Sequence, residues 1–428
     1  MREFENKKLL VLGTSVGSVE IVNYAKSKGA YVIVVDYLPA DKSAAKLVAD
    51  RAEMISTTDV EALVEFAKKE KISGVFCGVS EVNLKSVRAI ATALNLPCYF
   101  TEEQWELCQN KRTFKELCKK NGVPVAEEYG IGDCTDDEKL DGLKYPVIVK
   151  PVDQGAAVGI TICKNKEELK IGYANAIEKS FSKRALVEQY IVGEEFSAAY
   201  TIIDGEYRLS TIGTKYLDRS QEGLLPLPNA YVYPSKLHNF YKETINDNVI
   251  NMFKSIGIEN GTVFVQGVTD GKNIALFEAG LRMGGTALFR FVHRVNGINI
   301  LHLLTNFALT GKMEGDIDLE DAMLKGKKCC LLSLLNGGGK INKIIGVEEA
   351  SKLPGVVETI VRYNEGDTVP KSGTLHQSHI RFFVVEDSFE DLKKTIVEIQ
   401  KTVKVLDDYS NNMLLKDFDA NILSEEGN

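Results

Sequence analysis

Lys150 closes the apolar run Tyr145-Pro-Val-Ile-Val-Lys150-Pro151, and a small-residue, glycine-bearing stretch follows over 152–159. An ammonium at a strand end is a point charge for phosphate oxygens. Backbone N–H groups of a flexible loop can close over the same oxygens. The pattern suits a polyphosphate, yet it is not a Walker A loop, because no Gly-Lys-Ser/Thr follows and no helix opens there. Taken alone, Lys150 reads equally well as an ordinary edge lysine. A second set of groups lies near the N-terminus: Gly13-Thr-Ser-Val-Gly17, Asp36 and Ser80-Glu81 each follow an apolar run. Ligands of open α/β sheets bind at the carboxyl ends of such strands. The glycine loop is not a full GxGxxG, so a plain tight turn competes with a nucleotide turn. Asp36 reads as a ribose-binding acid or as an N-cap. Glu81 reads as a contact to an acceptor amine or as an acid at a helix N-terminus.

The elements that must position these groups can be read from periodicity. Residues 8–12, 31–35 and 74–77 are short apolar runs separated by helical patterns such as Val19, Val22 and Ala25. This alternation predicts a doubly wound, open parallel sheet. Pro97 with Cys98-Tyr-Phe100 is expected as a last short strand, closing a first domain near residue 102. One polar helix is expected from Glu102 to Asn121, ended by Asn121-Gly122. Strands are expected at 145–151, 160–163 and 185–191. Two hairpins follow, 196–203 with 206–212 turning at Asp204-Gly205, and 262–268 with 273–277 turning at Asp270-Gly271. An apolar helix is expected over 298–311. After about residue 320 the composition shifts to short strands, Gly337-Gly-Gly339 and a helix at 390–401, which reads as a small α+β unit. The resulting division is 1–102, 103–320 and 321–428, consistent with 428 residues at ~150 per domain.

Composition narrows the function classes. Hydrophobic residues are 44% and charged residues 26%, which is globular rather than disordered. A net charge of −8 argues against nucleic-acid binding by bulk charge. No apolar run reaches the ~20 residues of a membrane span, and Met1–Lys8 lacks the apolar core of a signal peptide. The eight cysteines form no CxxC pair, so free thiols in a reducing cytoplasm are expected rather than zinc or disulfides. His376 and His379 are three apart in a strand-turn region, His238 and His302 are isolated, and no GxSxG occurs. Trp105 reads as a packing residue.

Four motifs in order carry a family resemblance. Glu188-Gln-Tyr-Ile-Val-Gly-Glu-Glu195-Phe-Ser resembles the nucleotide hinge of the ATP-grasp superfamily. Asn110-Lys111-Arg-Thr-Phe-Lys-Glu-Leu-Cys-Lys-Lys-Asn-Gly-Val-Pro124 resembles the helix carrying its first ATP lysine, and Tyr145–Pro151 the strand carrying its second. Phe277-Glu278-Ala-Gly-Leu-Arg282-Met-Gly-Gly285 resembles its metal and catalytic strand. With the flanking segments, the likeness covers almost the whole chain, closest to the biotin carboxylase, carbamoyl phosphate synthetase and L-amino acid ligase layout. It implies a three-domain α/β and α+β architecture: a Rossmann-like sheet, a two-lobed grasp holding ATP, and a small C-terminal domain. A homodimer is the corresponding guess for assembly.

The resemblance also implies roles. Lys111 and Lys150 hold the α- and β-phosphates, and the segment from Asp153 through Gly155 to Gly159 is a lid. Glu188, Gln189 and Ile191 meet adenine, and Glu195 holds the ribose hydroxyls. Glu278 and Gln266 hold Mg²⁺ or Mn²⁺, and Arg282 faces the transferred phosphoryl group, with Lys150 as its catalytic companion. The metal motif departs from the family's Glu … Glu-x-Asn, because Gln266 and Gly280 stand at two of its three positions. Acceptor-side candidates are Glu81, Lys215, Arg219, Gly284, Gly285 and Arg290, with Leu224–Pro228 as an apolar wall and His293 and Arg294 nearby. The implied reaction is an ADP-forming, Mg²⁺-dependent ligation of a small-molecule carboxylate to an amine through an acylphosphate. The alternatives are a glycinamide ribonucleotide synthetase-like ligase and a nucleotide-binding regulator whose catalysis is lost.

Overall fold

The computed structural model describes residues 3–132, 134, 137–154, 158–221 and 225–424. The first layer is a parallel sheet. It comprises β1 (Lys8–Leu12), α1 (Ser18–Ser27), β2 (Tyr31–Val35), β3 (Arg51–Glu53), α2 (Val60–Glu70), β4 (Gly74–Phe76) and α3 (Glu81–Leu94). The order is β3–β2–β1–β4, all parallel, with Leu9 opposite both Val32 and Gly74. Leu9–Leu12 and Val32–Val35 are fully buried, as strands covered on both faces must be. β3 is polar and only three residues long, and no apolar run in the sequence announces it.

Two local expectations are corrected. Cys98–Phe100 is not a strand. Its apolar residues pack instead: Phe100 is buried, and the Tyr99 hydroxyl donates to the Leu281 carbonyl at 3.0 Å. The expected single helix over 102–121 is two helices, α4 (Glu102–Gln109) and α5 (Lys111–Lys120). Asn110 separates them, because its extended backbone ends α4 while its side chain accepts from Arg112 N and Thr113 N to cap α5. That break puts Lys111 at the first position of a helix.

A small antiparallel sheet follows, in the order β6–β5–β7, from β5 (Val147–Pro151), β6 (Thr161–Cys163) and β7 (Ala185–Gln189). Helix α6 (Lys166–Lys179) packs on it, and a Cβ on its Gly172 would lie 3.0 Å from both Cys163 Sγ and Thr161 Cβ. The largest layer is an eight-stranded sheet, built from β8 (Glu194–Ile203), β9 (Glu206–Asp218), β10 (Leu227–Tyr233), β11 (Gly261–Thr269) and β12 (Ile274–Gly280). Two helices, α7 (Phe289–Asn296) and α8 (Ile300–Thr310), precede its remaining strands, β13 (Lys328–Leu335), β14 (Val356–Val361) and β15 (Ser378–Glu386), and α9 (Phe389–Thr402) follows them. The order is β12–β11–β8–β9–β10–β13–β15–β14.

Both expected hairpins form, with longer strands than the sequence suggests. Three strands beyond residue 320, β13, β14 and β15, extend the same sheet through the β10–β13 pairing, Ala230 opposite Leu332, while Gly339–Lys340 with Thr368–Val369 and Lys343–Ile345 with Lys404–Leu406 form separate short pairs. Helix α8 ties this layer to the first: a Cβ on Gly74 would lie 2.2 Å from the Ala308 carbonyl oxygen.

Candidate nucleotide and phosphoryl-transfer site

Residues directly opposed across an antiparallel pair project from the same face. Glu278 on β12 stands opposite Gln266 on β11. Two residues along, Val268 stands opposite Glu195, which stands opposite Lys215, which stands opposite Tyr231. The row continues through Leu331 to Phe383, and Arg381 lies two residues before Phe383. One face of the large sheet therefore carries Glu278, Gln266, Glu195, Lys215, Tyr231 and Arg381.

Two charges on this face pair with each other. Lys215 Nζ lies 2.6 Å from Glu195 Oε2. Burial opposes the charge on Lys215, yet Tyr231, Glu195 and Glu278 around it raise its pKa. The Arg381 guanidinium is driven down to about 10 by burial and by the neighbouring Arg362 and Arg290. It donates to the Gly285 carbonyl at 3.2 Å.

The small sheet supplies the opposing charges. Glu188 on β7 is 2% exposed, and its two oxygens are divided between lysines: Lys115 Nζ at 2.8 Å and Lys150 Nζ at 2.6 Å. Burial would raise the Glu188 carboxyl, but Lys150 and Lys115 outweigh it and hold it below the usual range. Lys111 donates to the Gln154 carbonyl, at the start of the expected lid. Burial and the charge on Lys150 bring Lys111 down to about 8, against the opposing influence of Glu278, Asp153 and Glu188. Lys111, Lys150, Glu188 and Glu278 thus share one electrostatic environment where the small sheet meets the large one. Asp153 is itself anchored, accepting from Ser180 Oγ, Phe181 N and Ser182 N.

The other expected site residues fall in several places. Gln189 ends β7, with its amide donating to Glu127 O, and Ile191 follows just beyond. Gly159 has φ of +73°, and a Cβ there would lie 2.8 Å from Pro151 Cγ, so the lid's far end requires glycine. Gly155 and Leu224 lie outside the described residues. Arg219 is exposed just past β9.

Glu81, the first residue of α3, is held by Arg282 Nε and by Trp105 Nε1, the latter at 3.1 Å. Arg290 belongs to a different place: its Nη1 lies 2.8 Å from Glu358 and 3.6 Å from Glu20, in a groove of about 700 Å³ along α1 that His293 also lines. Asp36 caps no helix. Its oxygens take Lys46 Nζ at 3.0 Å, Ser43 Oγ and Leu38 N. Gly13 and Gly17 are explained by packing, since Cβ atoms there would lie 2.9 Å from Asn83 and 2.8 Å from Leu301.

Sequence reasoning missed Lys115, Tyr231, Arg381 and the contact of Trp105. Lys115 had a signal, being four residues after Lys111 on one helix face. Arg381 had none, because its strand reads as apolar filling. Glu278 and Gln266 offer one carboxylate and one amide carbonyl. Mg²⁺ accepts such oxygens and keeps phosphate and water ligands besides, so this pair fits one ion shared with a polyphosphate. Among the described residues no group of three or more His, Cys, Asp or Glu side chains is placed to hold a metal.

Residues 143–289 match the ATP-grasp domain family. The carbamoyl phosphate synthase large chain of Clostridium beijerinckii is 25% identical over 325 residues, 72% of this chain and 30% of that protein. The chain therefore spans about a third of the length of that relative. The L-amino acid ligase of Bacillus licheniformis superposes with a TM-score of 0.77 at 20% identity, covering 94% of this chain and 98% of that one. The biotin carboxylase domain of the Hydrogenobacter thermophilus 2-oxoglutarate carboxylase, solved with MgADP and bicarbonate, superposes with a TM-score of 0.74 at 17% identity, covering 93% and 90%. The segment from β5 to the start of α7 is an ATP-grasp domain, set in a chain that shares its overall fold with these structures.

Proposed function

We propose that this chain is an ATP-dependent carboxylate–amine ligase, ADP-forming, acting on small metabolites. One observation carries the reading: Lys111 on helix α5 lies within the electrostatic reach of Lys150 and Glu188 on the small sheet and of Glu278 on the large sheet, and Glu278 reaches the Glu195–Lys215 pair on its own sheet. Phosphoryl transfer needs positioning and charge neutralisation more than covalent help from the protein. Lys111 and Lys150 bind phosphate oxygens, Glu195 takes the ribose hydroxyls, and the hinge around Glu188, Gln189 and Ile191 borders adenine. Mg²⁺ would be held by Glu278 and Gln266 and supplies charge neutralisation to the phosphates. Arg282 orients the transferred group, with the bidentate geometry a guanidinium offers to oxyanions.

An oxygen of the substrate carboxylate bonds to the γ-phosphorus as the bond to ADP breaks. The amine nitrogen then bonds to the acyl carbon, phosphate leaves, and the nitrogen loses a proton. Closure of the 153–159 segment excludes water from the acylphosphate. Arg381, beside Gly285 on the same sheet face, anchors an anionic end of the substrate, with Lys215 and Tyr231 between it and Glu195. We retain 1–102, 103–320 and 321–428 as the functional division, the last segment completing the acceptor side. The buried thiols of Cys77, Cys108, Cys118, Cys163, Cys329 and Cys330 support a reducing, cytoplasmic setting.

The test is phosphate release with MgATP across amino-acid pairs, small acids with amines, and bicarbonate, with mass spectrometry of the products. Phosphate release coupled to a new amide supports the ligase. The reduced donor set at Gln266 and Gly280 favours a second reading, a nucleotide-binding regulator. That reading requires ATP binding with no phosphate released across the whole panel.

A further inference from the structure

Five positions on β11, β12 and the turn after them face the candidate phosphate region. They are Phe264, Gln266, Glu278, Gly280 and Arg282, and only one is a carboxylate. The register explains why. Phe264 stands opposite Gly280, on the face that carries Gln266 and Glu278. A Cβ on Gly280 would lie 2.3 Å from Phe264 Cε1. The ring therefore fills the space an oxygen-bearing side chain at 280 would need. It is 3% exposed. The Arg282 guanidinium lies over the same ring, 5.0 Å from its centroid. Arg282 is fixed at two further points: Nε donates to Glu81, and Nη1 donates to the Met283 carbonyl at 2.9 Å. Glu81 is itself braced by Trp105.

We infer that this site takes a single divalent cation on Glu278 and Gln266, and that its second positive centre is Arg282, seated on Phe264. The inference rests on the nucleotide site proposed above and adds to it the ion count and a positioning role for Phe264. Two ions on one polyphosphate sit ~4 Å apart and need a shared set of anionic oxygens. One carboxylate and one neutral amide do not supply that set, and the ring bars a further donor at 280. A guanidinium over an aromatic face, away from bulk water, is held electrostatically by the ring quadrupole. It is a fixed charge that needs no free metal.

The experiment counts Mn²⁺ bound per chain by paramagnetic resonance, at saturating β,γ-imido-ATP, in the intact protein. One bound ion supports the inference. Two bound ions with nucleotide in place overturn it while leaving the nucleotide site standing. Absence of nucleotide binding overturns the proposed function and this inference with it. Gln266→Glu is expected to tighten Mn²⁺ binding and keep the count at one, and a count of two there overturns the role given to the ring. Phe264→Leu is expected to lower kcat roughly tenfold with KM for ATP and the ion count unchanged, because only the seat of Arg282 is lost. A wild-type kcat in a folded Phe264→Leu protein refutes the positioning role.

Discussion

Lys111 makes nucleotide binding sensitive to pH in a range that can be reached without unfolding the protein. Its ammonium is brought down to about 8, first by burial and then by Lys150, with Glu278, Asp153 and Glu188 opposing. In the empty site the charged fraction therefore falls as pH rises through 8. A bound polyphosphate adds negative charge beside Nζ and restores the proton. Binding then takes up ~0.1 proton at pH 7, ~0.5 at pH 8 and ~0.9 at pH 9, if the bound form is fully charged. The same scheme weakens the affinity for ATP about twofold at pH 8 and about tenfold at pH 9, relative to pH 6.5. The last phosphate ionisation, with a pKa of ~6, is about three-quarters complete at pH 6.5 and nearly complete by pH 8, so it does not account for a loss of affinity between pH 8 and 9. Calorimetric titration in two buffers of different ionisation enthalpy measures the uptake directly. Lys111→Arg should abolish it, because a guanidinium stays charged throughout. A dissociation constant independent of pH between 6.5 and 9, with no buffer dependence of the enthalpy, would refute the assignment of Lys111 to the phosphates.

Other consequences of the geometry can be measured separately. Lys150→Ala should abolish ADP formation while leaving the fold intact, because Glu188 keeps Lys115 as its partner; wild-type turnover would remove Lys150 from the site. Glu188→Ala leaves Lys115 and Lys150 buried without their shared counter-charge and should cost about 3–5 kcal/mol in denaturant unfolding. Gly280→Ala forces a methyl group into the Phe264 ring and should lower stability by about 1–3 kcal/mol, read as a reduced midpoint of unfolding. Glu320 accepts from Thr201 Oγ1 at 2.9 Å, and burial raises its pKa to about 7, against Ser210, Thr201 and Arg208. The folded state then holds a proton that the unfolded state has lost, so stability falls as pH rises from ~4.5 to ~7. Glu320→Gln should accordingly raise the melting temperature at pH 8 and change it little at pH 4.5; equal shifts at both values would show that the carboxyl does not titrate across this window.

Much of this arrangement was legible in the sequence because its signals are local. Apolar runs gave three of the four parallel strands, β1, β2 and β4, and Asp204-Gly205 and Asp270-Gly271 gave the hairpin turns. The proposed hinge at Glu188–Glu195 rests on the resemblance of that segment to a family motif. What the sequence concealed depends on pairing between distant strands. Nothing in Ser378–Glu386 says that Arg381 will share a face with Glu195, because that follows from four intervening strand registers. Phe264 looks like ordinary core, and only its placement opposite Gly280 shows what it displaces. The break at Asn110 is a third kind of miss. Helical periodicity continues across it, and the asparagine cap that ends one helix and begins the next was read as an interior residue. The pairing of Asp36 with Lys46 was also hidden, because Lys46 comes from a short helix with no strong pattern.

The paired charges also say something about how the site waits for its ligand. Each candidate nucleotide-binding cation already has a partner within the protein: Lys150 has Glu188, Lys215 has Glu195, Arg282 has Glu81, and Lys111 has a backbone carbonyl. Buried charges left alone would carry a large desolvation cost, so these partners are what allow the empty site to exist. Binding must then exchange partners rather than find bare charges, and the net gain is the difference between phosphate and carboxylate as a counter-ion. That difference is largest where the internal partner is neutral. Lys111, whose partner is only a carbonyl and whose ammonium is already weakened, gains most from a polyphosphate. Lys150, held at 2.6 Å by a buried carboxylate, gains least. Discrimination between ATP and an unphosphorylated adenine compound should therefore fall more in Lys111→Ala than Glu188→Gln can restore through a freed Lys150.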